Sequence, residues 1–360
     1  MDETASTVAA GADTPRPNLA AVAALAGVSA STASLAFSGA GPVSDATKAK
    51  VLAAAEKLNY AGPDPRAQSL RRGRSGIVGV VMEDRLSEAF RDPMNIAMLD
   101  GIAEELTPYG SGLLLLTGHT EGSTTIQNAP IDAVVLIGCS TRLLDSVNVF
   151  RQRGVPIVAV EAEPMEGVLA IDLDNREASR LIAQHLADLG HRQASIVALP
   201  LDPTHERGAL TPERERASEG FTTTERIRGV RDVFADAPGV IAAGSSIDEG
   251  FEAGMTLLRD AATRPTAVIA QSDLLAVGVI RAALELGLSV PHDVSIAGFD
   301  GIRLEGIAPH DLTTMVQPAV AKGRAAGRGV IALIAGAEAE AVAFTSEFHR
   351  GATTGPPPGR

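Results

Sequence analysis

Four hydroxyls crowd the stretch "GVSASTASL": Ser29, Ser31, Thr32 and Ser34. Hydroxyls can attack a substrate, cap a helix or donate hydrogen bonds. Attack needs a supporting base and oxyanion donors, and the chain supplies neither frame. It holds no GxSxG elbow, no GxxxxGKS or GxxxxGKT phosphate loop and no GxGxxG after a strand. Its seven histidines are scattered, and none stands with acids or with the single Cys139 at metal-ligand spacing. Lone histidines such as His119 read as surface or helix-end residues, and Cys139, after "VVLIG", as a buried thiol at a strand end. Donation is the chemistry left. On one helical face these hydroxyls can reach phosphates or base edges, while Ala30, Leu35 and the Thr32 methyl can meet thymine methyls. The competing reading is a pair of small-residue helices buried in a core, which a polar Ser/Thr face disfavours.

A second set of polar residues sits where short apolar runs stop. Asp300 ends "VSIAGF", and Ser272 follows "TAVIAQ". In open α/β sheets ligands bind beyond the carboxyl ends of the strands, so the Asp300 carboxylate is placed to accept hydrogen bonds from ligand hydroxyls. Asp273, beside Ser272, reads first as a helix N-cap. Phe90 and Asp92, in "AFRDP", lie in the loop after the first strand and are candidates for the same crevice.

The elements that must position the hydroxyls are short helices. Val22, Leu25 and Ala26 give one apolar face, and Gly27 can take the left-handed conformation that ends a helix. Ser29 is the expected N-cap of a helix from about Ala30 to Phe37, and Ser44 of a third helix carrying Val51, Ala55 and Leu58. Pro63 and Pro65 end this unit. "RAQSLRRGRSG" follows, a basic segment able to form a helix but too short to hold one alone in water. From Ile77 short β-branched runs alternate with helical stretches, the pattern of parallel sheets covered by helices. The strands are too many for one compact sheet, so two similar α/β lobes are expected. The polar segment 201–224 reads as a mobile loop and "TTGPPPGR" as a disordered end.

The charge pattern narrows the partner. The net charge is −13, which speaks against nucleic acid for the chain as a whole. Residues 16–74, however, carry eight Lys/Arg against three acids, a basic head on an acidic body. A single cysteine points to a reducing cytoplasm. The acidic, proline-containing first residues lack a signal-peptide pattern, and no apolar run reaches the roughly 18 residues of a membrane span, so no membrane partner is expected.

The segment "LAAVAALAGVSASTASLAFSGAGPVSDATKAKVLAAAEKLNY" resembles the DNA-binding head of the lactose-repressor (LacI/GalR) family. "VAALAGVS", Thr32-Ala-Ser34, Val43-Ser44, Thr47-Lys48 and Asn59-Tyr60 carry the likeness. The body resembles the same family through "IDLDN" at 171–175, "HLADLGHR" at 185–192, "RIRG" at 226–229, "SVPHDVSIAGFD" at 289–300 and "LTTMVQP" at 312–318. The resemblance implies a helix-turn-helix regulator, most simply a repressor, binding a palindromic double-stranded operator as a homodimer. Leu19, Ser29, Ala30, Ser31, Thr32, Ser34, Leu35, Ser44, Thr47, Lys48 and Tyr60 would form its DNA-binding set. Leu70 falls where the family places a leucine wedge that enters the minor groove and kinks it. Two departures stand out. Leu35 replaces the family's usual guanine-reading arginine, and "AGPDP" is one residue longer than the usual segment after the tyrosine. For the body the resemblance implies a sensor like periplasmic sugar-binding proteins, with Arg226, Ser272 and Asp300 on the effector and Phe90 and Asp92 beside them. The absence of tryptophan and an aromatic content of 3% leave little for sugar stacking, so a sugar is one candidate among small effectors.

The expected fold class is therefore α/β: a small all-α helix-turn-helix head followed by two Rossmann-like lobes. Residues 1–17 form a tail, 18–62 the head, 63–75 a hinge and 76–354 the effector-binding and dimerisation body, with 355–360 disordered. Within the body, lobe 1 takes about 76–165 and 318–344, and lobe 2 about 166–317 and 345–354. Neither catalysis nor a cofactor is expected. The alternative is a solute-binding protein of a transport system, which the basic head contradicts.

Overall fold

The structure, a computed structural model, describes residues 17–39, 41–63, 69, 73–82, 90–117, 126–137, 143–302 and 311–359. The chain divides into two compact units, Met1–Ser75 and Gly76–Arg360.

In the first unit the caps fix the helices. Asn18 accepts from the Ala21 N–H at 2.9 Å and starts α1 (Leu19–Ala26). Ser29 starts α2 (Ala30–Ser38) and Ser44 starts α3 (Asp45–Lys57). Gly27 and Gly39 end the first two helices with φ of 69° and 64°, where a Cβ would be strained. The bend between α1 and α2 is 103°, within the range of helix-turn-helix pairs. Their core is made of small side chains: Val22, Ala23, Ala33, Ala36, Val51, Ala54 and Ala55. Phe37 and Tyr60 close it edge to face, with ring centroids 5.6 Å apart.

The second unit alternates strand and helix as its sequence pattern requires. It begins with β1 (Ile77–Met82), α4 (Pro93–Leu106), β2 (Gly112–Thr117), β3 (Ala133–Ile137), α5 (Leu143–Gln152), β4 (Ile157–Val160) and β5 (Val168–Leu173). It continues through α6 (Asn175–Asp188), β6 (Ser195–Ala198), β7 (Gly208–Ala209), α7 (Pro212–Arg216), α8 (Phe221–Arg231) and β8 (Gly239–Ile241). There follow α9 (Ile247–Leu258), β9 (Ala267–Ala270), α10 (Asp273–Glu285), β10 (Ser295–Ala297) and β11 (Thr314–Val316). The chain closes with α11 (Ala319–Ile334), β12 (Val342–Phe344) and β13 (Glu347–His349). One sheet has the order β12-β5-β4-β3-β1-β2, all parallel; the other is β10-β9-β6-β8-β7, antiparallel only at β7. Parallel strands covered on both faces are continuous apolar runs, and β3 (AVVLI) is buried along its whole length. β11 and β13 form a separate antiparallel pair.

Helix pairs lock each lobe at glycines. A Cβ on Gly101 of α4 would stand 2.2 Å from the Val320 carbonyl of α11, and one on Gly250 of α9 2.2 Å from the Leu275 carbonyl of α10. Both pairs of backbones are therefore in direct contact.

Three expectations are corrected. Residues 168–173, placed with the second lobe, form β5 and pair with β4 in the first sheet, so the chain crosses at Asp174. That crossing is tied: the Asp174 carboxylate accepts from both the backbone N–H and the hydroxyl of Ser346, each at 2.9 Å, on the return crossing. Segment 201–224, expected as a mobile loop, contains β7, α7 and the start of α8. The terminal segment, expected to be disordered from 355, is seated on the second lobe at its start: Gly355 exchanges hydrogen bonds with the Ser295 hydroxyl, and His191 meets the Gly355 carbonyl at 2.9 Å. Among the described residues no single helix is long and apolar enough to cross a membrane.

Candidate functional site

The head presents α2 through a shared cap. The Ser29 hydroxyl accepts from the Thr32 N–H at 3.1 Å and lies 2.8 Å from the hydroxyls of Ser31 and Thr32. Ala33 and Ala36 point into the core, which leaves Ala30, Ser31 and Leu35 exposed and Thr32 and Ser34 half-buried. Leu35 lies over Gly41. At α3 the same pattern recurs, with Ser44 capping Thr47 N–H at 3.3 Å and Lys48 exposed beside it. Leu19 rests partly buried on the core. Tyr60 packs on Phe37. Leu70 lies outside the described residues, as do His119 and Cys139.

The body holds a cleft at the carboxyl ends of strands from both sheets, where open α/β folds take ligands. Its first side comprises Met82, Ile137, Val160 and Glu161 at strand ends, with Asp92, Met94, Asn95 and Met98 from the start of α4. The facing side comprises strand-end residues Leu199, Pro200, Gly244, Ser245, Ser272 and Asp300, with Thr223 and Arg226 of α8, His205 and Gln317. The space open to water centres is about 90 Å³, several times the ~10–15 Å³ that one water needs, so the cleft admits a small molecule. No Phe, Tyr or Trp lines it among the described residues.

The charges around this space form a buried network. Arg226, 3% exposed, donates from Nε to Asn175 Oδ1 (2.8 Å) and from Nη1 to the Gln271 carbonyl (2.5 Å). Its guanidinium lies 3.7 Å over the Phe299 ring and 3.6 Å from the carboxylates of both Asp300 and Glu161. Gln317 Nε2 donates to Asp300 at 2.6 Å, while its Oε1 accepts from Lys322. Lys322 also pairs with Glu161, which accepts in addition from Asn175 at 2.9 Å. Burial pushes the Glu161 carboxyl up, but Lys322 and Arg226 more than offset it, and the group ends below its ordinary range. Asp300 goes the other way: burial raises it well above the ordinary value, and Asp273 and Asp92 add to the rise against Arg226. Backbone strain collects here too. Among the described residues the non-glycine positions with positive φ are Asn59, Glu161 (54°), His205 (52°) and Asp300 (125°), and all but Asn59 border the cleft.

The candidates from sequence divide as follows. Arg226, Ser272, Asp300 and Asp92 come together around the cleft, whereas Phe90 is exposed and is not among its lining residues. Asp92 also caps α4, accepting from the Met94 N–H at 2.9 Å. The cap expected of Asp273 belongs to Ser272, which accepts from the Leu275 N–H (3.2 Å). Asp273 is one position later and fully buried, and receives the Thr314 hydroxyl (2.6 Å) and the Ile302 N–H (2.9 Å). Sequence reading missed Glu161, Lys322, His205, Asn175, Gln271 and Gln317. Glu161 did carry a signal: it directly follows the apolar run of β4, as Asp300 follows that of β10. Among the described residues no group of three or more His, Cys, Asp or Glu side chains is arranged to hold a metal ion.

Comparison with known proteins agrees with both halves. The family model for bacterial regulatory proteins of the lacI family matches residues 18–62, and that for a periplasmic binding protein-like domain matches residues 183–353. The HTH-type transcriptional regulator IpsA of Corynebacterium glutamicum is 32% identical over 354 residues, covering 94% of this chain and 97% of that protein. The chain belongs to the LacI family of bacterial regulatory proteins. A crystal structure of a LacI-family transcriptional regulator from Corynebacterium glutamicum matches this LacI-family chain with a TM-score of 0.70 and 30% identity, covering 93% of this chain and 98% of that one. The complex of the transcriptional regulator CelR with cellobiose matches with a TM-score of 0.65 and 26% identity, over 94% and 100% of the two chains. The chain is thus a DNA-binding transcriptional regulator built from a helix-turn-helix head and a periplasmic-binding-protein-like body, and the transport alternative is not favoured.

Proposed function

We propose that this regulator acts as a repressor that binds a palindromic operator as a homodimer and releases or tightens its grip when an unphosphorylated sugar or related polyol enters the cleft. The observation that carries the reading is the buried Arg226–Asp300 pair at the strand ends. The cleft offers the carboxyl groups of Asp92, Glu161 and Asp300 as acceptors, and among its described lining residues no lysine or second arginine joins Arg226 to hold a phosphate, so it suits a ligand rich in hydroxyl donors. CelR, a relative by structure, is known with cellobiose bound. On the DNA side, Ala30, Ser31, Thr32, Ser34 and Leu35 would meet base edges and thymine methyls. The first turns at Leu19 and Ser44, with Ser29, Thr47, Lys48 and Tyr60, would hold phosphates. One nine-residue helix makes few contacts, which a second subunit on a symmetric half-site doubles. Leu70 is assigned the minor-groove wedge.

Footprinting the full chain on the DNA upstream of its own gene, with and without neutral sugars and their phosphates, tests this. A two-fold symmetric footprint that neutral sugars shift and sugar phosphates leave alone is expected. Asp300→Ala should keep operator affinity and lose the response, since charge-assisted hydrogen bonds of about 1.5–3 kcal/mol correspond to roughly ten- to hundredfold in effector affinity. An Asp300→Ala protein that responds like the parent would place the effector elsewhere.

A further inference from the structure

The segment between β6 and α8 brings a side chain into the cleft that no motif marked. Residues 202–217 leave the end of β6, run through β7 and α7, and return. The Asp202 carboxylate accepts from the Thr204 N–H at 2.9 Å and turns the chain. His205 follows in the left-handed region, at a φ of 52°, among the residues that line the cleft. Its Nδ1 is 2.9 Å from the Ala243 carbonyl oxygen. A carbonyl only accepts, so Nδ1 carries the hydrogen, and in that tautomer Nε2 is the acceptor.

Two ties hold this ring in place. β7 adds antiparallel to the edge of β8, pairing Ala209 with Val240. Glu249 Oε2 accepts from the Ala243 N–H at 2.8 Å and from Arg207 Nε at 2.8 Å. A single carboxylate thus fixes the residue whose carbonyl orients the ring and the residue two places after the ring. The segment is a built wall of the cleft, strained at the position that faces the space.

We infer that His205 is a specificity-determining contact of the effector cleft. Its Nε2 accepts a hydrogen bond from one hydroxyl of a sugar or polyol that also engages Asp300 and Arg226, and Glu249 is its positioning residue. The inference rests on the proposed use of the cleft. Met82, Met94, Met98 and Leu199 measure only bulk, whereas a fixed acceptor left empty penalises an analogue that lacks the hydroxyl, which discriminates far more sharply.

Titration calorimetry of the full-length protein tests this with D-glucose, D-galactose, D-ribose and cellobiose, followed by the monodeoxy analogues of whichever sugar binds. The parent should reject one deoxy analogue tenfold or more. His205→Leu should lose tenfold or more for the intact sugar and bind that analogue equally well, so that the discrimination vanishes. His205→Gln, whose amide oxygen also accepts, should keep part of it. Glu249→Gln should weaken binding in the parent and add nothing in the His205→Leu background, a non-additivity that a merely structural role would not give. Should discrimination survive in both His205 variants while Asp300→Ala abolishes binding, the cleft stands and the His205 contact is overturned. Unchanged binding in Asp300→Ala, or no binding by any of the four sugars, overturns the cleft reading and the His205 contact with it.

Discussion

The reading head and the effector cleft handle polar chemistry in opposite ways. In the head, capping side chains find partners three residues along: Asn18 meets Ala21, Ser29 meets Thr32 and Ser44 meets Thr47. Its core is all small apolar side chains, and its lysines stay at the surface. In the cleft, the charges are buried and their partners are remote. Glu161 pairs with Lys322 across 161 positions, and Arg226 reaches back to Asn175 across 51. Local hydroxyls each add a little and tolerate loss. A buried ion network is costly to leave half-made, because each member neutralises another that water cannot reach.

The comparison is broken or sharpened most strongly at Glu161. Glu161→Ala leaves Lys322 buried without its carboxylate and should lower unfolding stability by about 3–5 kcal/mol, read from urea midpoints. The double variant Glu161→Gln with Lys322→Met should recover most of that loss. A cost under about 1 kcal/mol for the single change would mean the cleft tolerates loss as the head does.

A smaller effect should appear with pH. Burial pushes Asp273 up to about 7 against the hydrogen bonds from Thr314 and Ile302, and raises Asp300 likewise. Both pKa values lie above those of the unfolded chain, so between about pH 4 and 7 these two groups hold more protons in the folded protein than in the unfolded one. The share of stability that these two acids contribute should therefore fall as pH rises from 5 to 8, while His185 and His191, lowered by burial, act the other way below about pH 6.5; over that range the parent should lose more stability than Asp273→Asn. Glu161, shifted the other way, contributes stability that is lost only as pH falls below its unfolded value of about 4.5, outside that window. An Asp273→Asn protein that loses as much stability as the parent from pH 5 to 8 would contradict the assigned burial of Asp273.

The smallest effect belongs to the head. Ser29→Ala removes one cap and should cost about 1 kcal/mol, visible in the helical signal of thermal unfolding. A loss well above 2 kcal/mol would show that this hydroxyl supports more than its own helix.

The same contrast explains what could be read from the sequence. Gly27, Ser29, Gly39 and Ser44 announce the head because caps act over three or four residues. Asp300 could be found because it ends an apolar run, and Glu161 obeys the same rule after "VPIVAV". Lys322 was harder. It is one cation in "AVAKGRAAGRGV", and only the packing of α11 shows that it lies on the buried face with Ala319, Ala326 and Val330. Nothing local in "VLAIDL" says which sheet it joins, and its pairing with β4 is a non-local choice that moved the lobe boundary to Asp174. The charges of "LDPTHERGALTPERER" look like a solvated loop in composition. They order it instead by pairing with one another and with the body, as Arg214 does with Asp202 and Arg207 with Glu249. The Pro/Gly-rich end looks disordered until His191 and Ser295 are found beneath it.

The glycine contacts inside each lobe carry a mechanical consequence. Helices whose backbones touch cannot slide without collision, so α4 with α11, and α9 with α10, behave as stiff plates. Compliance is left to the seam between them, where isolated hydrogen bonds make the tie: Asp174 to Ser346 and to the Phe344 carbonyl, and Gln317 to Asp300. Stiff plates on a compliant seam turn a slight push at the seam into a wide sweep at their outer rims. A methyl group added inside either plate would blunt that sweep without touching any residue that meets the effector.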